Sequence, residues 1–172
     1  MKQIVTVMLA VFAMAAMAAE TAIELKDKSN ISAYGNAKYY LTQPVVTVAD
    51  GVAKAECGKT AEGVKPFNYQ FAVRSKEIYK AGMTYTITFT LKSNKDVTNA
   101  GVANFQMGTA PYKIFGRTPI SLKANEPKEF TISASLTEDV TVVTCIPCLH
   151  MPLTEGQTIE ISNVKVSETP TK

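Results

Sequence analysis

Hydrophobic and polar residues alternate with a period of two in a series of short segments from residue 31 onward. The clearest are FNYQFAVR (67–74) and TYTITFTLK (84–92), followed by GVANFQMG, EFTISASL, DVTVVTCI and QTIEISNVKV. Loops such as SNKD, ANEP and TEGQ separate them. A period of two is typical of half-buried β-strands, and we find no segment with the period of an amphipathic helix.

Two local features follow from the same pattern. Asp50-Gly51 lies between the alternating runs PVVTV and VAKAEC, and this dipeptide is a strong hairpin signal. In the last segment the apolar face shifts by one residue between Ile161 and Val164, which predicts a β-bulge. Many short strands joined by turns predict an all-β fold, an antiparallel β-sandwich or barrel, rather than alternating strands and helices.

The N-terminus has the features of a secretory signal peptide. Lys2 precedes an uncharged run from Ile4 to Met17, and small residues then lead to Glu20. The run is shorter than the roughly 20 residues of a membrane-spanning helix, so we predict cleavage near Ala18 or Ala19 and a secreted, periplasmic or cell-surface protein. We divide the chain into a signal peptide (1–18), an N-terminal segment (19–30), one β-sandwich domain (31–167) and a tail (168–172).

The charged residues are mixed along the chain. The formal net charge is +3, and no tract of lysine and arginine occurs. Proteins that bind nucleic acids or anionic membrane surfaces concentrate their basic residues, so we predict neither as a partner.

The strand faces opposite the predicted core are rich in Thr, Ser, Asn and Gln and carry little charge. Each sugar hydroxyl both donates and accepts hydrogen bonds, so a sheet face of neutral polar side chains suits a carbohydrate. The preference of threonine for any exposed strand explains the same pattern without a ligand. Both explanations stay open at this level.

The segment TCIPCLHMP holds two of the three cysteines and the one histidine of the chain. An exported protein favours disulfides, and we predict that Cys57 pairs with Cys145, with Cys148 as the alternative partner. A direct bond between Cys145 and Cys148 requires a turn, because such positions in an extended strand lie roughly 10 Å apart. A metal-binding protein that uses both of these cysteines, His150 and Met151 is a further alternative.

The acidic residues do not form a catalytic pattern. They are scattered over turns, at Asp50, Glu62, Asp96, Glu126, Glu138 and Asp139. Hydrolysis of a glycosidic bond needs two carboxylates that face each other, and no serine lies in the glycine pattern of a nucleophile elbow. We therefore predict that the protein is not an enzyme and has no cofactor and no catalytic metal.

Three motifs occur in a characteristic order. ADGVAKAE is followed by PFNYQFAV with YKAGMTYTITFTLKS, and GQTIEISNVKV comes near the end. In this order and spacing the chain resembles carbohydrate-binding modules of families 4, 9, 16 and 22, from about residue 30 to residue 167. The resemblance implies a jelly-roll sandwich of the galactose-binding-like type that holds a glycan chain on a concave sheet face.

The resemblance also implies the position of the site. Its polar residues match the strand that begins at Phe67, whose own ring, standing where the family has Trp, is expected to pack in the core. Sugar rings pack their C–H faces on aromatic side chains, and Tyr112 is the first candidate for such a stacking ring, with Phe105 and Tyr40 as weaker candidates. The segment TCIPCLHMP is expected to lie away from these residues. The predicted carbohydrate-binding residues are Asn68, Gln70, Arg74, Phe105 and Tyr112.

In the closing strand the family has an Asp that often helps to hold a structural calcium ion. Ser162 stands at this position, with Asn163 beside it. Calcium is therefore the one metal that the resemblance suggests, and this substitution argues against it.

Together these observations predict a secreted, non-catalytic carbohydrate-binding protein whose partner is a polysaccharide of the β-glucan, cellulose or xylan class. One alternative is an extracellular structural or adhesion sandwich that contacts other secreted proteins and no sugar. The other is the metal-binding protein described above.

Overall fold

The computed structural model describes residues 20–25, 29–63, 65 and 68–171, and the predicted signal peptide lies outside them. This part of the chain contains no α-helix, and hence none long and apolar enough to cross a membrane. Its strands are β1 (Glu20–Ala22), β2 (Ile31–Gly35), β3 (Val45–Ala49), β4 (Val52–Glu56), β5 (Tyr69–Ser75), β6 (Met83–Ser93), β7 (Val97–Met107), β8 (Ile114–Leu122), β9 (Lys128–Ser135), β10 (Thr144–His150) and β11 (Thr158–Pro170).

The strands form two antiparallel sheets. The six-stranded sheet has the order β3-β4-β11-β6-β9, and β1 pairs with a later part of β11. The five-stranded sheet has the order β2-β5-β10-β7-β8. Neighbouring strands are therefore often distant in sequence, as in a jelly roll, and the predicted all-β sandwich is confirmed.

The core lies between the inner faces of the two sheets. In β6 the residues Tyr85, Ile87, Phe89 and Leu91 are buried, and the threonines between them are half-buried on the outer face. The ring of Phe89 stacks on that of Phe130 in β9, with 5.9 Å between centroids. Removing each large apolar side chain from water contributes about 1.5–3 kcal/mol, which fixes the register and directs the intervening polar residues outward.

Both local predictions are confirmed. Asp50 and Gly51 join β3 to β4 with φ angles of 52° and 72°, the left-handed pair that a type I′ hairpin turn requires. In β11 the register with β6 shifts between Ser162 and Lys165, and Asn163 takes a φ of 53° at this bulge.

The sandwich is longer at both ends than the predicted limits of 31–167. In the N-terminal segment, Glu20–Ala22 pairs with β11 and thus belongs to the six-stranded sheet. At the other end β11 continues to Pro170, which pairs with Met83. Main-chain hydrogen bonds to long neighbouring strands order these short polar stretches, which show no alternation of their own.

Candidate functional site

The outer face of the five-stranded sheet contains a groove of about 970 Å³. Outward side chains of β5, β10 and β7, the three inner strands, form its floor. The edge strands β2 and β8, with the loop between β7 and β8, supply its sides. Successive outward positions of paired strands lie side by side, so the groove is lined by rows of side chains that cross the sheet.

Strand pairing gives three such rows. The first contains Tyr34, Gln70, His150 and Val102; the second Ser32, Ala72, Cys148, Asn104 and Arg117; the third Arg74, Cys145, Gln106 and Ile114.

The floor depends on a β-bulge in β10. Cys145 and Cys148 are three residues apart and would point to opposite faces of a regular strand. Cys145 pairs with Arg74 of β5, whereas Cys148 pairs with Ala72, so two residues of β10 lie opposite one of β5. The same shift occurs against β7. The extra residue turns both thiols toward the groove.

A series of polar contacts orders the floor. Arg117 Nε donates to Asn104 Oδ1 over 3.1 Å, and Asn104 Nδ2 donates to Gln106 Oε1 over 3.0 Å. His150 Nε2 lies 3.4 Å from Gln106 Oε1 and 3.4 Å from Cys148 Sγ. Since an amide oxygen only accepts, His150 carries its proton on Nε2 in this arrangement. These contacts fix the orientations of the side chains before a ligand arrives.

The groove perturbs its titratable groups. Burial, and then the charge of Arg117, hold the pKa of His150 below its ordinary value, so the ring is neutral at pH 7. A hydrogen bond from Cys148 lowers the pKa of the Cys145 thiol, and the charge of Arg74 acts in the same direction. The same hydrogen bond and then burial raise the pKa of Cys148. Cys145 is therefore the more readily ionised of the two groove thiols.

Two exposed tyrosines stand at opposite sides of the groove. Tyr34 lies on the edge strand β2 and is 54% exposed, and Tyr112 lies in the β7–β8 loop and is 59% exposed. Ile114 beside Tyr112 is 42% exposed. Large apolar surfaces that stay in water cost free energy, and rings in this position offer flat faces to a ligand.

The structure brings together three of the predicted binding residues. Gln70, Arg74 and Tyr112 all line the groove, as the period of two indicated for the first two. Their contact with a ligand stays a prediction. Phe67 lies outside the described residues.

Asn68 and Phe105 lie outside the groove, which corrects their predicted role. Asn68 is buried, and its Oδ1 accepts a hydrogen bond from the backbone N–H of Lys65, so its amide holds a turn. Phe105 is fully buried in the core, with its ring 5.1 Å from that of Tyr79 and 5.0 Å from that of Phe115. The weaker candidate Tyr40 is also buried, and its hydroxyl donates to a backbone carbonyl.

The predicted disulfide between Cys57 and Cys145, or Cys148 as the alternative, is not formed, and all three residues are free thiols. Cys57 faces the core between the sheets, whereas Cys145 and Cys148 face the groove on the other side of the five-stranded sheet. The segment TCIPCLHMP was expected away from the site, but it forms β10 and the centre of the groove floor.

The alternative metal site is not supported either. Met151 is buried in the core, whereas His150 and the two cysteines before it face the groove. Across the described ranges, no group of three His, Cys, Asp or Glu residues could hold a metal ion. At the bulge in β11, Asn163 Nδ2 contacts Thr90 Oγ1 over 3.4 Å. Neither Ser162 nor Asn163 supplies a carboxylate there, the ligand that the family's Asp would offer to calcium.

Thiol reactivity tests this arrangement. In the reduced protein at pH 8, we expect iodoacetamide to modify Cys145 at least tenfold faster than Cys57. Burial raises the pKa of Cys57 to about 11, so only about one such thiol in a thousand is ionised at pH 8. The time course is followed by mass spectrometry of peptides. The Cys145→Ser variant should lose the fast phase, and faster modification of Cys57 would contradict the described placement.

The groove is also lined by residues that the sequence did not single out as ligand contacts, among them Tyr34, Asn104, Gln106, Arg117 and His150. The alternation in ISAYG and GVANFQMG places the first three on an outer face. No local signal joins them to Gln70, because their strands are separated by other segments and meet only through the order of the sheet.

No protein-family model matches the sequence, and no curated protein matches it. Several solved structures share its fold. A structure described as CBM4 matches with a TM-score of 0.61 at 20% identity, over 84% of this chain and 93% of that chain. The apo CBM1 of BiXyn10A matches with a TM-score of 0.55 at 17% identity, over 82% and 89% of the two chains.

The N-terminal cellulose-binding domain of β-1,4-glucanase C from Cellulomonas fimi matches with a TM-score of 0.55 at 15% identity, over 85% of this chain and 91% of that domain. At such identities the likeness concerns the backbone. The chain therefore has the fold of these carbohydrate-binding modules.

Proposed function

We propose that the protein is a secreted, non-catalytic carbohydrate-binding protein that holds a polysaccharide in the groove of the five-stranded sheet. The observation that carries the proposal is the composition of this groove, in which ordered polar side chains lie between two exposed tyrosine rings. A polysaccharide needs both kinds of contact, since its rings have apolar faces and its edges carry hydroxyl groups.

The polar side chains suit hydroxyl groups. Gln70 is half-buried in the first row and has no side-chain partner among the described residues, so both its amide groups are available. Gln106 uses its Oε1 toward Asn104 and His150, which leaves its Nε2 as a donor. Hydrogen bonds from side chains held in place before binding cost less conformational entropy than those from free side chains.

The size of the groove suits several sugar residues of a chain. Its volume of about 970 Å³ is at the upper end of ordinary ligand pockets. It lies along a sheet face, as a linear polymer requires. We assign the ligand to the β-linked class of β-glucan, cellulose and xylan, and the shared fold with modules described as CBM4 and as cellulose-binding supports this assignment.

The same groove argues against hydrolysis as its function. Its described lining contains no Asp or Glu, whereas hydrolysis of a glycosidic bond ordinarily uses a pair of carboxyl groups. The signal-peptide pattern of residues 1–18 supports secretion.

Retention on insoluble cellulose, β-glucan and xylan tests the proposal. We expect the protein to bind at least one of these polymers, and the Gln70→Ala variant to bind it about fivefold to tenfold more weakly, the usual loss when a hydrogen-bonding partner is removed. Thr88→Ala is the matched control, because Thr88 lies on β6 in the other sheet.

Equal retention of Gln70→Ala and Thr88→Ala would place the binding surface elsewhere. Retention on none of these polymers, nor on a charged derivative of them, would leave the adhesion protein as the better description.

A further inference from the structure

The two arginines of the chain both line the groove. Every other basic side chain, apart from the histidine, is lysine. Arg74 belongs to β5 and Arg117 to β8, and no sequence motif links them. The fold thus places both arginines on one surface. Their planar, forked guanidinium groups match the geometry of carboxylates.

Neither guanidinium is neutralised by an acidic side chain. The ion pairs among the described residues all use lysine, and the described lining of the groove contains no carboxylate. Arg117 donates through Nε to Asn104 Oδ1, a neutral acceptor, so this hydrogen bond leaves the positive charge of the guanidinium uncompensated. Arg74 is exposed, and its side chain forms no hydrogen bond and no ion pair in the described part of the chain.

The two charges lie on different strands of the groove. Arg74 and Arg117 lie one row apart, and β10 and β7 separate their strands. Three strand spacings correspond to roughly 14 Å between the backbones, and Arg117 reaches toward β7 through its hydrogen bond to Asn104. A sugar chain that lies over β10 and β7 therefore has one guanidinium on either side.

We propose that the polysaccharide bound in this groove is anionic and carries uronic-acid carboxylates. This inference rests on the proposed function and narrows it, because a neutral glucan offers neither guanidinium an acceptor of opposite charge and matching geometry. A carboxylate on the ligand supplies that charge and accepts paired N–H bonds from a guanidinium.

The test compares one polymer in two charge states. Glucuronoxylan is titrated by calorimetry beside the same polymer after chemical reduction of its carboxylates to alcohols, at low and at moderate salt. We expect at least tenfold tighter binding to the native polymer, and a smaller difference at higher salt because of screening. Dextran sulfate serves as a polymer with anionic groups and no carboxylate.

Arginine variants assign the effect to the groove. Arg74→Gln and Arg117→Gln should each weaken binding to native glucuronoxylan about tenfold and reduce the difference in affinity between the native and the reduced polymer. Arg117→Lys keeps the positive charge but lacks the forked guanidinium group. Its affinity for native glucuronoxylan should therefore fall between those of the original protein and Arg117→Gln. Lys92→Gln removes a charge from β6 in the other sheet and should change neither affinity.

The outcomes separate the two proposals. Equal binding to the native and reduced polymers, with both Arg→Gln variants unaffected, would overturn the anionic ligand and leave polysaccharide binding intact. Dextran sulfate bound as tightly as glucuronoxylan would overturn the carboxylate assignment in favour of general attraction to anions. Binding to neither form of glucuronoxylan, with retention on cellulose or β-glucan, would overturn this inference alone. Binding to neither form and retention on no other polymer would overturn the proposed function as well.

Discussion

Replacing both Tyr34 and Tyr112 by alanine is expected to weaken polysaccharide binding by about two orders of magnitude. These rings lie at opposite sides of the groove and are more than half exposed. Stacking on a sugar buries apolar area of each ring, and about 1.4 kcal/mol for each corresponds to a tenfold loss. The effect is measured by calorimetry with the polymer that the retention assay identifies.

Phenylalanine variants provide the control. Tyr34→Phe and Tyr112→Phe keep the aromatic face and remove the hydroxyl, so binding should stay within a few-fold of the original affinity. An unchanged midpoint of urea unfolding would show that the alanine variants are folded. If the double alanine variant binds with an affinity within twofold of the original protein, the two rings do not contact the ligand. The polar side chains of the floor would then be the binding surface.

Replacing Phe105 by alanine is expected to lower the free energy of unfolding by about 3–5 kcal/mol, the range for removal of a buried aromatic side chain. Phe105 is fully buried and contacts the rings of Tyr79 and Phe115. A loss of this size is a large part of the stability of an ordinary domain. It is measured by urea denaturation, with Phe105→Leu as the variant that retains most of the volume.

The same pair of variants separates a core residue from a ligand contact. If Phe105 is structural, Phe105→Leu should bind glycan with nearly unchanged affinity. If it contacted the ligand, Phe105→Leu would unfold normally and bind much more weakly, and that result would contradict the described packing. The flanking polar residues Asn104 and Gln106 line the groove, so alternation by itself directs Phe105 to the opposite face.

The bulge in β10 explains why the position predicted for the segment TCIPCLHMP is wrong. In a regular strand Cys145 and Cys148 would lie on opposite faces, and pairing either one with Cys57 was a reasonable expectation for an exported chain. Ile146 and Pro147 together occupy the space of one residue against β5 and β7, and Ile146 is buried in the core. Both thiols therefore face the groove, and Cys57 lies on the other side of the sheet.

The sequence by itself determined the class of fold. The period of two specifies which side chains leave water, and the free energy of burying them fixes strands, faces and registers locally. Asp50-Gly51 and the shift after Ile161 specified a turn and a bulge for the same reason, since each depends on a few adjacent residues. Gln70 and Arg74 were found because their own strand shows which side faces outward.

Only the tertiary structure decided which outer face holds the site. The threonines of β6 and the polar residues of β5 and β7 look equivalent in sequence, but they lie on different sheets. Tyr34, Arg117 and the β10 thiols reach one groove because strands far apart in the chain pair side by side. Such pairing depends on the packing of the whole sandwich, and no short stretch of sequence contains it.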